Sequence, residues 1–382
     1  MSTRSLGSAA YPGPRGLQVT PQVPGQIPAL EVVPEKTARR FRRWAFLFIA
    51  WASLTAVVCA TGERMITTTL IKVWDSFLGS HDDETLRSEA SPHMRAQTAH
   101  ALLQRLKTKP TAENEHAARV AVDWFTRNGN ALDASLSDAM GSVWPYGFAY
   151  SYGTKPFWRS SLTQAEIASL MLDADEALGG TRYRDWALRA LQPLFVDIKS
   201  GGVRIAETAD SNRPAWWYEE FADDNVTPPR VLNGMLYTLV YVHSVWQRTG
   251  DEGAHQLFDN GMRALKNHLA DYDTGDWTYY DANGYLASPE YHRVHVKLLG
   301  KLYAATGDTA LNSLRQKWQA YGGGFWKRFY SNLRVGRLNN SQIGVLGAAG
   351  LVSLLMVLTA AWGMGRRQRG EQRLGGEMSN SA

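Results

Sequence analysis

Four times between residues 92 and 321, an amphipathic helical stretch runs through a short turn into a second amphipathic stretch. The pairs are Pro92–Leu106 with Thr111–Phe125, Ser161–Ala177 with Arg182–Leu194, Val231–Gln247 with Glu252–Leu269, and Pro289–Ala305 with a run to about Tyr321. The turns read KTKP, LGGT, TGD and TGDT, and Thr111 is a candidate N-cap. The phrases LGGTRYRDWALRAL, TGDEGAHQLFDNGMRALKNHL and TGDTALNSLRQKWQAY are variants of one element. Neither helix of such a pair can bury its apolar face alone, so the hairpins are expected to pack side by side. The predicted fold is therefore mainly α, an incomplete α/α-barrel (toroid) of helical hairpins with function in the loops at one rim. The connections at 141–160, 199–224 and 271–288 are rich in aromatics and long for filler. Within them GGVRI and DWTYYD predict small β-hairpins.

Two apolar runs bracket this block. Trp44–Ala60 has 17 residues, at the short end of what spans a bilayer, and Ile343–Gly365 has 23 without a charge. Arg39, Arg40, Arg42 and Arg43 precede the first, and Arg366, Arg367 and Arg369 follow the second. The positive-inside bias then puts both termini in the cytoplasm and residues 65–340 outside it, in the periplasm or at the cell surface. The expected order is a disordered basic cytoplasmic arm (1–43), a transmembrane helix (44–62), the helical domain (65–340), a second transmembrane helix (343–365) and a loose cytoplasmic tail (366–382). The first run also fits an uncut signal anchor or a cleaved signal peptide. Gly344, Gly347, Ala348 and Gly350 suit close packing against another membrane helix. Cys59 is the only cysteine, so no intrachain disulfide forms and the domain relies on its own core. The net charge of +5 comes with arginines gathered at the membrane flanks, which speaks for topology and not for a nucleic-acid partner.

Fourteen Trp and sixteen Tyr supply flat stacking platforms as well as core. Glu219 and Glu220 follow Trp216, Trp217 and Tyr218. Carboxylates among large rings are desolvated toward pKa values useful for proton transfer, although the same pair also fits exposed acids at a turn. Tyr279, Tyr280 and Asp281 fall in a predicted turn, and Tyr291, His292 and His295 open the next helix. His292 and His295 share a face. Two histidines without a neighbouring Cys make no metal site, which leaves polar lining of a sugar cleft or satisfied structural histidines. Arg159, Arg213, Arg230 and Arg293 are candidates for bidentate capture of a sugar carboxylate, each with an ordinary surface role as its alternative. No Walker motif, dinucleotide fingerprint, GxSxG elbow, HExxH or CxxC occurs, which argues against NTPase, dehydrogenase, serine-hydrolase and zinc-protease chemistry and calls for no cofactor.

The phrases FWRSSLTQAEIASL (157–170), WYEEF (217–221), LNGMLYTLVYVHSV (232–245), YDTGDWTYYD (272–281) and SPEYHRVHVKLL (288–299) resemble, in order and spacing, the C-terminal domain of the D-glucuronyl C5-epimerase family. These enzymes turn D-glucuronate into L-iduronate in heparan-type polymers. The resemblance covers roughly residues 140–325 and implies an α/α-barrel with active-site tyrosines and a glutamate. It implies that Glu220 and Tyr291 stand on opposite faces of the uronate ring, one removing the C5 proton and the other delivering a proton to the far face. Tyr280 would hold or polarise the carboxylate as charge develops on it. Trp158, Arg159, Gln164, Trp217, Glu219, Asn233, His292, Arg293 and His295 are the expected substrate-binding set. Two positions depart from the family pattern: Phe221 stands where a tyrosine is expected, and Asn283 where an arginine clamp is expected. Arg159 and Arg293 are candidates to replace that clamp.

The resulting expectation is a membrane-anchored polysaccharide uronate C5-epimerase whose partner is an acidic uronate-containing polymer. A uronate lyase shares the first chemical step and is the enzyme alternative. The third reading is a non-catalytic polysaccharide-binding or exopolysaccharide assembly subunit. Polysaccharide synthesis or export proteins, and a second copy of the chain, are the protein partners compatible with these readings.

Overall fold

The computed structural model describes residues 35–77, 91–131, 141–207, 213–322, 324–334 and 340–379. By contact the chain divides at Ala50/Trp51 into two units. Of the first, the structure describes the opening turns of helix α1 (Glu35–Phe77). The second holds the helical domain.

The eight helices read from the sequence are all present: α2 (Pro92–Thr108), α3 (Ala112–Asn128), α4 (Ser161–Leu178), α5 (Arg182–Leu191), α6 (Leu232–Thr249), α7 (Glu252–His268), α8 (Pro289–Thr306) and α9 (Thr309–Gln319). Their ends follow from local chemistry. Ser91, Thr111, Ser160, Asp251, Ser288 and Asp308 each accept a backbone N–H in the first turn of the helix they open. The repeated TGD phrase does two jobs. Gly250 and Gly307 close α6 and α8 in the left-handed conformation (φ 68° each), and the following Asp caps the next helix. Arg182–Leu194 is shorter than expected because Pro193, lacking an N–H, turns the chain into a 3-10 segment at Gln192–Phe195.

Helices α2, α4, α6 and α8 form an inner row, α2 against α4, α4 against α6 and α6 against α8. Each packs on its hairpin partner α3, α5, α7 or α9 behind it. The first and last inner helices are not closely packed on one another, so the row is an incomplete α/α toroid. Helix α4 is covered by α2, α3, α5 and α6, and every residue from Ser161 to Leu172 is buried. The core continues through Tyr183, Leu236, Leu239, Leu257, Leu298 and Trp318.

The predicted β-hairpins are reshaped. The GGVRI segment contributes β3 (Arg204–Glu207), which pairs antiparallel with β4 (Ala215–Tyr218) in the register Ile205↔Trp217. The DWTYYD segment forms only single bridges, Asp273↔Thr278 and Tyr279↔Leu286, because Gly275 (φ 86°) and Gly284 (φ 83°) turn the chain between them. A further two-residue pair, β1 (Asn130–Ala131) with β2 (Ser142–Val143), had no sequence forecast.

Helix α1 begins at Glu35, so residues 35–43 of the expected disordered arm are helical; KTARRFRR contains no Pro or Gly and runs into the apolar stretch without a break. Residues 1–34 of that arm lie outside the described residues. The tail expected to be loose is helical to Ser379, as the end of α11 (Asn340–Ser379), with 380–382 outside the description. Trp44–Glu63 and Gln342–Met364 are long and apolar enough to cross a membrane. Helix α10 (Phe325–Arg334) lies between the domain and these segments. The Trp326 indole donates to Ala56 O at 2.8 Å, and Trp51 donates to Gly350 O at 2.7 Å. Arg328 pairs with Glu63 and lies 5.3 Å from the Trp277 ring centroid.

Candidate active site

The N-terminal ends of α2, α4 and α8 open on one rim, where a cavity of about 920 Å³ lies. Its walls come from Ser91, His93 and Met94 at the start of α2, Ser160, Leu162 and Thr163 at the start of α4, and Ser288 and Tyr291 at the start of α8. The 141–160 connection adds Tyr146, Phe148, Tyr150, Tyr152 and Trp158, and the turns add Glu220, Phe221, Tyr280, Tyr285 and Leu286. Three helix N-termini aimed at one space favour an anionic occupant.

The two consecutive glutamates are used differently. After β4 the chain turns, and Glu219 points inward with no solvent exposure. Its Oε1 accepts the Phe221 N–H (3.2 Å) and its Oε2 the Arg230 N–H (2.8 Å). Arg230 sits at φ 50°, and this bond together with Tyr272 Oη donating to Arg230 O (2.6 Å) holds that left-handed turn. Glu220 faces the cavity, with Asn233 Nδ2 3.4 Å from Oε2. Burial raises both carboxyls, Glu219 to about 7 and Glu220 to about 8, the Glu219 charge adding to the second.

In the same cavity the Tyr280 and Tyr291 rings lie 4.7 Å apart between centroids at 56°. Burial, with the Glu220 charge as the next contribution, raises both phenols above their ordinary value, so both carry their proton at neutral pH. One wall is a continuous aromatic surface. Tyr146 stacks on Trp158 at 3.8 Å, Tyr150 lies 6.0 Å from Trp158 and 5.7 Å from Phe221 in near-parallel planes, and Tyr150 is half exposed. Tyr152, at φ 66°, donates from Oη to Asp281 Oδ2 (2.7 Å) and ties this wall to the Tyr280 turn.

Of the residues singled out in the sequence, the cavity brings together Glu220, Tyr280, Tyr291 and Trp158, with Asn233 behind Glu220. Trp217 is fully buried and stacked on Tyr272. Gln164 is spent on backbone, donating to Ser142 O and Ala190 O and accepting from Trp144 N. Arg159 donates to Gly202 O and Ile198 O, away from the cavity lining. Arg230 lies against Trp217 and pairs with Glu207, and Arg213 is exposed. Arg293 lines a separate cleft with Lys297 and Arg315. His292 and His295 are buried on the far side of the Tyr280 turn, where both Nδ1 atoms approach Thr278 Oγ1 (2.9 and 3.2 Å) and His292 Nε2 donates to Trp318 O (3.0 Å). Among the described residues no cluster of His, Cys, Asp and Glu suits a metal ion.

Sequence reasoning passed over His93 and Glu166. His93 lines the cavity, its Nδ1 is 2.6 Å from Glu166 Oε2, and Gln97 Nε2 donates to Glu166 Oε1 at 2.5 Å. The signal was present: His93 and Gln97 are four apart on one helical face, and Glu166 is the lone acid in the apolar run AEIASLML.

Residues 138–320 match the family model described as the D-glucuronyl C5-epimerase C-terminus. An uncharacterized protein of Methanocaldococcus jannaschii is 33% identical over 181 residues, covering 46% of this chain and 57% of that one. The D-glucuronyl C5-epimerase of Caenorhabditis elegans is 28% identical over 234 residues, covering 56% of this chain and 36% of that one. The chain thus spans little more than half of the first relative and about a third of the second. Among solved structures, a D-mannose isomerase aligns over 69% of this chain and 70% of its own at 13% identity, with a TM-score of 0.41. Residues 138–320 of this chain belong to the family of D-glucuronyl C5-epimerase C-terminal domains.

Proposed function

We propose that the chain is a membrane-anchored C5-epimerase acting on uronate residues of an acidic polysaccharide. The observation that carries this reading is the meeting of Glu220, Tyr280 and Tyr291 in one cavity walled by stacked aromatics, within a domain of this family. The C5–H of a uronate is acidic only through the adjacent carboxylate, and its removal leaves an enolate-like species whose charge the site must stabilise. Glu220, once ionised, takes the C5 proton. The electron pair passes into the carboxylate, and the Tyr291 hydroxyl returns a proton to the opposite face of C5. Tyr280 donates to the developing oxyanion. Assignment of the base to Glu220 follows from acidity, since of the two groups only the carboxyl ionises near neutral pH. Sugar rings stack on Tyr150, which Trp158 backs. The apolar helices hold the domain at a membrane, on its extracytoplasmic side by the arginine distribution.

The test is incubation of the detergent-solubilised full chain with a glucuronate polymer in deuterated water, followed by NMR of C5. Deuterium at C5 with iduronate signals, both lost in Glu220→Gln and in Tyr291→Phe, is the expected result. An unsaturated, ultraviolet-absorbing end would instead identify a lyase. Saturable binding without exchange on any uronate polymer would leave an assembly subunit.

A further inference from the structure

The cavity is shaped for an anion, yet among the described residues no arginine or lysine lines it. Among the described lining residues the one side chain with a cationic form is His93. Arg159 and Arg293, the candidates for a carboxylate clamp, are turned to backbone carbonyls and to a different cleft. Position 283, next to the Tyr280 turn, is an uncharged Asn.

His93 is built to hold a charge. Glu166 is completely buried in the middle of α4, so its carboxylate needs donors, and it receives two from one face of α2: His93 Nδ1 on Oε2 and Gln97 Nε2 on Oε1. With Nδ1 committed to Glu166, Nε2 is on the opposite edge of the ring and has no partner among the described residues. The side chain is 38% exposed, and it borders the cavity. Burial works against its protonation, but the hydrogen bond and charge of Glu166, with a smaller contribution from Glu220, more than offset it, so the imidazole is raised above its ordinary value. A carboxylate–imidazole pair of this kind orients the ring and makes its outer N–H a stronger donor to an anion.

We propose that His93, seated on Glu166, receives the uronate carboxylate through Nε2–H, a task for which the described lining offers no arginine or lysine. Glu166 is the positioning residue and Gln97 its second anchor. This rests on the reading of the cavity as a uronate site, and it makes the selectivity for a charged sugar depend on α2, which lies outside residues 138–320.

The test compares binding of heparosan with binding of its carboxyl-reduced, neutral counterpart to the full-length protein, by calorimetric titration. Wild type is expected to prefer the charged polymer by about tenfold or more, the size of one charge-assisted hydrogen bond. His93→Gln should lose most of that ratio, affinity for the charged polymer falling well below its wild-type excess over the neutral one, and His93→Lys, which keeps a cation, should retain part of it. Glu166→Gln should weaken binding of the charged polymer and move the pH at which its affinity falls to lower values, because the imidazole then loses its proton sooner. A merely structural Glu166 would lower affinity for both polymers without moving that pH. Should His93→Gln fold poorly by circular dichroism, the Lys variant and the Glu166→Gln pH profile decide. A His93→Gln protein that keeps the wild-type ratio, or a wild type that does not discriminate the two polymers, overturns the inference. C5 exchange measured alongside separates the two readings: exchange with an unchanged ratio sinks the His93 role alone, and a His93-dependent ratio without exchange sinks epimerisation alone.

Discussion

Glu220 lies so close to the first turn of α6 that a Cβ on Gly234 would stand 2.5 Å from both its Cβ and its Oε2. The glycine is therefore part of how the carboxylate is aimed, since no other residue leaves room for it. Alanine at a helical position is normally favoured over glycine by about 1 kcal/mol, but here the methyl group must displace Glu220 or tilt α6. Gly234→Ala is expected to lower C5 exchange by about a hundredfold, the scale of a misplacement near 1 Å. The double variant Gly234→Ala/Glu220→Ala should be no slower than Glu220→Ala alone, because the two changes act through one group. Additive losses would show that the methyl group harms something else.

The raised Glu220 carboxyl sets a pH profile. As base it works ionised, so kcat/KM is expected to rise about tenfold per pH unit below its pKa and to level off above about 8. The stability consequence has the opposite sign. A carboxyl whose folded pKa is raised favours the folded state while it is protonated, and that contribution is lost as pH climbs from the ordinary carboxylate value through about 8. Glu220→Gln should therefore abolish exchange, raise Tm relative to wild type at pH 9, and leave Tm unchanged at pH 4. A Tm below wild type at pH 9 would contradict the burial cost assigned to this group.

The helical pairs were legible because the period of 3.6 and the TGD phrase both mark hairpins locally, and all eight helices are present, α5 alone cut short by Pro193. Glu220, Tyr280 and Tyr291 were reached through family phrases, and the cavity unites them. The neighbouring positions misled because motif membership does not say which way a side chain turns. Gln164, Trp217 and Glu219 lie inside matching phrases and are buried as fasteners of the turns that present the site. His93 was missed for the converse reason: it stands some 130 residues before Glu220 in sequence, and only the packing of α2 on α4 brings it to the cavity.

Tyr150 separates binding from folding. It is half exposed and stacked on Trp158 and Phe221, whereas Trp158 itself is almost fully buried. Tyr150→Ala should raise KM for the polymer by about two- to tenfold, the worth of one stacking contact of about 0.5–1.5 kcal/mol, with kcat and Tm near wild type. Trp158→Ala should instead lower Tm substantially, since a buried tryptophan lost from a core costs about 3–5 kcal/mol. An equal effect of both on Tm would refute the division into a structural ring and a contact ring.

The proposed topology is tested with single cysteines in a Cys59→Ser background. A cysteine at Lys109, in the exposed turn between α2 and α3, should react with a membrane-impermeant maleimide in intact cells. A cysteine at Gln372, beyond the second apolar segment, should react only after lysis. Labelling of both in intact cells, or of neither, would exclude two crossings with the domain outside.

The two buried histidines give stability an acid limit. Burial depresses His295 to about 3, and it depresses His292 as well, because charging either would strand a cation beside Thr278 and Trp318. Above the ordinary histidine value both are neutral whether folded or not, and their contribution is fully present. As pH falls from about 6.5 toward 3, the unfolded chain takes up a proton at His295 that the folded one refuses, and stability drops by about 1.4 kcal/mol per unit, with His292 acting in the same direction. This slope opposes that of Glu219 and Glu220, which lose stability as pH rises from about 4.5 to 8. Stability should peak where the two windows overlap, at mildly acidic pH. His295→Gln, which cannot titrate, should flatten the acid limb and leave the alkaline limb untouched in denaturant titrations from pH 3 to 9. An acid limb as steep as that of wild type would mean that carboxylate protonation, and not the histidines, sets the limit.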